Sequence, residues 1–138
     1  FRKLSQIVGP EDERRATVLC NLAKSLYFLH RYAEAKQFFS KALEITSSEV
    51  GAISQFYLAE CALSEGKTNE ALRGYYRVVT LWKDYSDWAA AAYYQIGSIY
   101  QSKGDMQEAR KAFEAIIRLY PDTKWAKAAK KKLISITG

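Results

Sequence analysis

The sequence predicts an all-α fold, a right-handed α-solenoid in which antiparallel helix pairs stack against one another. Its long segments are rich in alanine, leucine, lysine, glutamate and arginine, which favour helices. Valine, isoleucine and threonine, which favour strands, never gather into alternating runs, and the chain has only 2 prolines. A helix-turn-helix pattern also recurs along the chain, and such internal repetition is typical of solenoids.

The first predicted element covers residues 1–9, which resemble the end of a repeat. Phe1 lies 38 residues before Phe39, the aromatic residue of the first full repeat, and Gly9-Pro10 is a pair that breaks helices. We therefore expect residues 1–9 to be the remnant second helix of a preceding repeat. The chain begins without methionine, so we also expect it to be a piece of a longer protein, with any signal peptide or lipid anchor upstream.

Three predicted repeats follow, at residues 16–49, 52–85 and 90–123. Each is anchored by an alanine in its second helix, and successive anchor alanines lie 36 and 38 residues apart. An aromatic residue follows each alanine four positions later, on the same side of the helix. The three pairs are Ala35 with Phe39, Ala71 with Tyr75, and Ala109 with Phe113.

The first helix of each predicted repeat carries apolar residues three and four positions apart, the period of a helix with one buried face. Its small residues are expected where the two helices approach most closely, facing the anchor alanines, because a large side chain would push the helices apart. These small residues are Ala23, Ala59 and Gly97. The stripes comprise Leu19, Leu22, Ala23 and Leu26, then Leu58, Ala59 and Ala62, then Tyr93, Ile96, Gly97 and Tyr100.

A short polar turn separates the two helices of each repeat, so each pair is expected to fold back as a hairpin. Two turns contain a glycine, Gly66 or Gly104, which can adopt the left-handed conformation that ends helices. The turns are His30-Arg31-Tyr32, Glu65-Gly66-Lys67 and Lys103-Gly104-Asp105.

Residues 124–136 are predicted to form a C-terminal capping helix. Trp125 and the residues after it repeat the pattern that begins at Trp88. A lysine-rich outer face suits a cap, since the last element of a solenoid exposes one side to water. An anionic ligand, whether nucleic acid, phospholipid or an acidic protein, is the alternative use of these lysines. They are Lys124, Lys127, Lys130, Lys131 and Lys132, and they supply most of the net charge of +6.

Residues 90–123 resemble the tetratricopeptide repeat (TPR) family. The residues at the family's signature spacing are Tyr93, Ile96, Gly97, Tyr100, Ala109, Phe113 and Pro121. The first repeat departs from the pattern at Leu26, which replaces an aromatic residue, and the second departs at Gln55 and Ala62. The resemblance covers about nine tenths of the chain. It implies a TPR-like superhelix that acts as a non-catalytic scaffold for protein–protein interaction.

The run Tyr120–Ala126 and the stretched period are also similar to the repeat domains of bacterial envelope proteins, such as the Tol-associated coordinator and the outer-membrane assembly lipoproteins. This resemblance implies a place in the periplasm or cell envelope. Cytoplasm is the alternative, because Cys20 and Cys61 are expected to be reduced and packed, without a disulfide.

The predicted binding surface is the concave face formed by the first helices, whose side chains are not all used for packing. Aromatic residues would anchor an extended peptide or a partner helix, while Lys24 or Glu60 would set its direction. The alternative is that Tyr27, Phe28 and Phe56 belong to the core. Binding of a chaperone C-terminal carboxylate is not expected, because only Lys24 fits the family's clamp. The proposed face comprises Lys24, Tyr27, Phe28, Phe56, Glu60, Tyr94, Ser98 and Gln101.

No enzyme, cofactor or metal site is predicted. His30 is the only histidine, and no second histidine or cysteine lies at metal-binding spacing from it. No histidine is spaced to act as a base for Cys20. The acidic residues Glu11, Asp12 and Glu13 are interpreted as a solvated helix start. We expect a protein partner, no nucleic acid and no insertion into a membrane. The alternative is a spacer or self-association module whose face against another copy comprises Trp82, Tyr85, Trp88 and Tyr120.

Overall fold

The computed structural model describes residues 9–137, and in this range the chain forms seven α-helices and no strand. The predicted all-α fold is therefore confirmed. The helices are α1 (Pro10–Phe28), α2 (Tyr32–Ile45), α3 (Glu49–Ser64), α4 (Thr68–Leu81), α5 (Ser86–Ser102), α6 (Met106–Leu119) and α7 (Lys124–Thr137). The predicted remnant helix lies outside the described residues except for Gly9, which is the N-cap of α1 with Pro10 in its first turn.

The described helices belong to two compact units, which divide between Gly74 and Tyr75, within α4. In the first unit α1 packs on α2, α2 on α3, and α1 on α3. Short loops join these helices, so each helix reverses the direction of the one before it. The buried cluster between them comprises Cys20, Ala23, Leu26, Ala35, Phe39, Ala42 and Cys61. The proposed boundaries of the repeats remain a prediction.

In the second unit α5 packs on α6, α6 on α7, and α5 on α7. Phe113 and Ile116 of α6 are fully buried at its centre. The hydroxyl of Tyr120 donates a hydrogen bond to the carbonyl of Lys83 at 2.8 Å, which ties the loop after α6 to the loop before α5. Small residues of α5 and α7 complete this core, namely Ala89, Ala90, Ala126 and Ala129.

The three hairpin turns share one hydrogen-bond pattern. After α1, the amide of Arg31 donates to the carbonyl of Leu26 and the amide of His30 to that of Tyr27, both at 2.9 Å. This paired pattern is the Schellman motif, and the same two bonds recur after α3 and α5. It requires a left-handed residue, which is Gly66 (φ 79°) or Gly104 (φ 82°) as predicted. In the first turn His30 takes this conformation instead, with φ 62°.

The close approaches between helices lie at the predicted small residues, but their nearest partners differ from those expected. A Cβ added to Gly97 would lie 2.7 Å from the Phe113 ring, and one added to Gly74 would lie 2.8 Å from the Ala59 Cβ. The residue that a Cβ at Gly97 would meet is therefore Phe113, and the residue that a Cβ at Gly74 would meet is Ala59, rather than an anchor alanine. The anchors themselves are fully buried, as are Phe39, Tyr75 and Phe113.

Two expectations about α1 are wrong. Leu22 was predicted to pack but is 44% exposed, because α1 buries Ala23 and Leu26 in the core cluster and Leu22 lies outside it. Glu13 was interpreted as solvated, yet its carboxylate accepts hydrogen bonds from the hydroxyls of Thr46 and Ser48, the latter at 3.0 Å. Since Ser48 also caps the start of α3, this network fastens α1 to the connection between α2 and α3.

Candidate functional site

An aromatic cluster lies on α1 and α3 in the first unit. The ring centroid of Tyr27 is 5.1 Å from that of Phe28 and 5.3 Å from that of Tyr57, and Phe28 and Tyr57 are 6.2 Å apart. All three pairs are arranged edge to face, which is the favourable geometry for aromatic rings. We call Tyr27, Phe28 and Tyr57 the aromatic patch.

The aromatic patch is anchored to the core on one side and open on the other. The ring of Tyr57 is stacked on that of Phe39, a fully buried residue, at 5.9 Å and 11°. Tyr27 and Tyr57 are half-buried, and Phe28 is 62% exposed. Because packing limits the rotamers of the two tyrosines, the patch presents an apolar surface that is already ordered.

One cation and one anion accompany the patch. The ammonium of Lys24 lies 5.6 Å from the centroid of the Tyr57 ring, within range of a cation–π interaction. Burial raises the pKa of Tyr27 and of Tyr57, and the nearby carboxylate of Glu60 raises both further.

Phe56 differs from the other proposed contact residues of the first unit because it is buried, with 7% of its surface exposed. Its ring packs edge to face against Tyr57 at 5.6 Å, so it supports the patch from behind. Tyr57 is not among the predicted contact residues, although it is half-buried and contacts the exposed ring of Phe28. Neighbouring residues of a helix differ by about 100° in direction, and the apolar stripe of α3 is too continuous to tell the two apart.

In the second unit, α5 carries the remaining proposed contact residues. The ring of Tyr94 lies 5.6 Å from that of Phe113 and 5.2 Å from that of Trp125. Half-buried Tyr94 is thus partly covered by α7. Ser98 and Gln101 follow on the same helix and are also half-buried.

Both cysteines are buried and unpaired, which confirms the prediction of packed thiols. Burial raises the pKa of Cys61 to about 12, and it also raises that of Cys20. Each thiol is therefore protonated near neutral pH, and since the thiolate is the reactive form, neither is activated as a nucleophile.

His30 is exposed at the first turn, where its Nδ1 lies 2.5 Å from the hydroxyl of Tyr32. Within residues 9–137 no three or more His, Cys, Asp or Glu side chains are grouped so as to hold a metal ion. None of the helices in the described range is both long and apolar enough to span a membrane.

The aromatic residues expected to face another copy are used largely within the second unit. Trp82 and Tyr120 are buried, and Tyr120 is bonded to the backbone of Lys83. Tyr85 and Trp88 are half-buried. Only these last two leave surface for a contact with a second copy.

Many solved structures resemble this chain, and two of them illustrate the likeness. The N-terminal domain of stress-induced protein-1 (STI-1) from C. elegans matches with a TM-score of 0.74 and 18% identity, over 89% of this chain and 98% of that one. MamA matches with a TM-score of 0.62 and 23% identity, over 77% of this chain and 58% of that one. At these identities the likeness shows the fold alone. No curated protein matches the sequence significantly.

Sequence profiles of the tetratricopeptide repeat match residues 16–48 and 52–122. The second match alone covers more than half of the chain. Both fall on the helix pairs described above, including the two repeats in which the signature is incomplete. Neither the profiles nor the solved structures support the expected likeness to bacterial envelope proteins. The chain belongs to the tetratricopeptide repeat family.

Proposed function

We propose that this chain is a non-catalytic scaffold that binds an extended peptide or a partner helix on the aromatic patch. Tetratricopeptide repeats generally mediate protein–protein interaction, and the proteins that carry them are typically non-catalytic. The observation that carries the proposal is the exposed ring of Phe28, held edge to face by two tyrosines that are packed on the core.

An ordered aromatic surface favours binding for two reasons. A ligand that covers the exposed part of Phe28 gains roughly 1–2 kcal/mol from apolar burial. Little conformational entropy is lost in return, because Tyr27 and Tyr57 are already restrained by their neighbours. Large aromatic residues of this kind carry most of the binding energy in many protein interfaces.

The charges beside the patch suggest the orientation of the ligand. Lys24 would attract an acidic group of the ligand, and Glu60 a basic one. Phe56 would contribute indirectly, through its contact with Tyr57. In the second unit, Tyr94, Ser98 and Gln101 on α5 are proposed as a separate contact surface for a protein ligand.

The binding test uses a random peptide library displayed on phage and selected on the chain, followed by fluorescence anisotropy with the enriched peptides. Phe28→Ala should weaken their binding at least about tenfold, since it removes an anchor. Val18→Ala is the matched control, because Val18 also lies on α1 and is 65% exposed, outside the patch. Equal binding by Phe28→Ala and the unmodified chain, with both folded by circular dichroism, would refute the proposal.

The setting we propose for this scaffold is a bacterial envelope assembly, and the run Tyr120–Ala126 is the feature that supports it. Fractionation of native cells by osmotic shock, with an antibody raised against the chain, tests this part separately. Release with the periplasm, or sedimentation with the envelope, is the expected result. Recovery in the cytoplasmic fraction would reject the envelope setting and leave the binding proposal intact.

A further inference from the structure

The last helix, α7, carries five lysines and no acidic residue. Lys124, Lys127 and Lys131 are spaced three and four apart, so they point to one side of the helix. Lys130 flanks them, and Ile134 follows one turn after Lys130 and Lys131 on the same side, 71% exposed. We call this surface the lysine face. Its residues are Lys124, Lys127, Lys130, Lys131 and Ile134.

The charges of the lysine face are not neutralised within the part of the chain that the structure describes. All four lysines are exposed, and none of them forms an ion pair with a described acidic side chain. Lys124 lies over the Trp125 ring at 5.2 Å, while Lys132 lies outside the face, 5.9 Å from the Tyr94 ring. Four like charges within three turns repel one another, so the concentration of positive charge on this face is not explained by the stability of the unit.

Packing of α7 does not require these lysines. The helix is held to α5 and α6 by Ala126 and Ala129, which are buried, and by Trp125 and Leu133, which pack against the same cluster. The lysine face is the opposite side. Neutral or acidic residues there would satisfy the same packing, so the excess of positive charge indicates a contact outside the unit.

We propose that the lysine face docks an acidic helix of another protein, with carboxylates three and four residues apart and one aliphatic residue against Ile134. The proposal is independent of the aromatic patch. Charge complementarity requires that the partner surface be negatively charged. An apolar residue among the lysines fits a protein surface better than a phosphate backbone, and the face has no aromatic ring on which a base could stack. A single isoleucine is also too little apolar surface to anchor a helix in a lipid interface.

The test uses a synthetic 20-residue helical peptide with glutamates at positions three and four apart and one leucine among them. Fluorescence anisotropy should show binding at 50 mM salt that weakens at 200 mM, where screening shortens the range of exposed charges. Lys127→Glu, Lys130→Glu and Lys131→Glu together should weaken binding at least about tenfold, since three favourable pairs become repulsive. Replacing the same lysines by arginine should preserve it.

The matched control reverses three exposed cations elsewhere in the second unit, Arg77→Glu, Lys83→Glu and Lys103→Glu, which changes the net charge equally. Binding by this control within about threefold of the unmodified chain supports a local site. An equal loss in both triple variants, or no binding of the glutamate peptide beyond that of its glutamine analogue, overturns the proposal. Tighter binding to vesicles containing phosphatidylserine, or to a 20-nucleotide oligomer, overturns it as well.

Discussion

His30 shows how a single residue adapts to a conformation set by the repeat. The same position is glycine in the other two turns, and His30 keeps the same hydrogen bonds at φ 62°. A left-handed residue with a Cβ costs about 1–2 kcal/mol, whereas the extra freedom of unfolded glycine costs about 0.5–1 kcal/mol. His30→Gly should therefore raise the free energy of unfolding by about 0.5 kcal/mol, measured by urea denaturation. Leu29→Gly, at φ −87°, should lower it, and a loss with His30→Gly would contradict this account.

Gly97 represents the opposite case, in which the side chain is missing for lack of space. An added methyl group would lie 2.7 Å from the ring of Phe113, itself fully buried. Gly97→Ala should therefore lower the free energy of unfolding by about 1–3 kcal/mol, measured by denaturation in urea. Ser102→Ala is the control, because Ser102 is exposed near the end of the same helix and the substitution adds no volume beside Phe113. A neutral Gly97→Ala would mean that the ring of Phe113 can move aside.

Between helices, Lys36 joins α2 to the turn and helix that follow α3. Its ammonium lies 2.9 Å from the carboxylates of Glu65 and Glu70, and the hydrogen bond from Lys36 is the main cause of the lowered pKa of Glu65. A carboxyl whose pKa is lower in the folded state stabilises the fold above its unfolded pKa, about 4.3, and ceases to do so as the pH falls through its folded pKa. Stability should therefore decline between about pH 5 and pH 3.

Urea denaturation at pH 6, 4.5 and 3 measures this decline, and Lys36→Met tests its cause. Methionine keeps most of the apolar stem without the charge. The free energy of unfolding of the variant should therefore fall less than that of the unmodified chain as the pH is lowered. Lys111→Met is the control, since Lys111 pairs with Glu108 within α6 alone, on an exposed surface. An unchanged pH dependence in Lys36→Met would show that other carboxylates dominate acid unfolding.

The helices and their turns could be predicted from periodicity, because residue spacing alone locates the apolar stripe of a helix and the glycine that follows its end. The face that a given side chain occupies was harder to predict. Phe56 and Tyr57 are adjacent in an apolar helix, and only their different burial in the structure shows that Tyr57, rather than Phe56, lies at the open patch. The bonds of Glu13 to Thr46 and Ser48 span more than thirty residues, and no local pattern signals them. The lysine run, by contrast, is visible directly in the sequence.

For the whole molecule, the division into two compact units raises the question of how far unfolding in one spreads to the other. The two buried thiols, Cys20 and Cys61, report on this, because both lie in the core of the first unit and react only when it opens. In repeat proteins each element contacts only its neighbours, so stability is expected to be local. Phe56→Ala should open the first unit more often, since truncating a buried phenylalanine costs about 3 kcal/mol.

Thiol labelling with an aromatic disulfide reagent in the native state measures this opening. Phe56→Ala should speed labelling on the order of 100-fold, because 1.4 kcal/mol corresponds to a factor of ten in the open population. Gly97→Ala, which acts in the second unit, should change the rate by less than about threefold, even though both variants melt at lower temperature. Equal acceleration by the two substitutions would show that residues 9–137 open as one cooperative block, in which case damage at either end would expose both thiols.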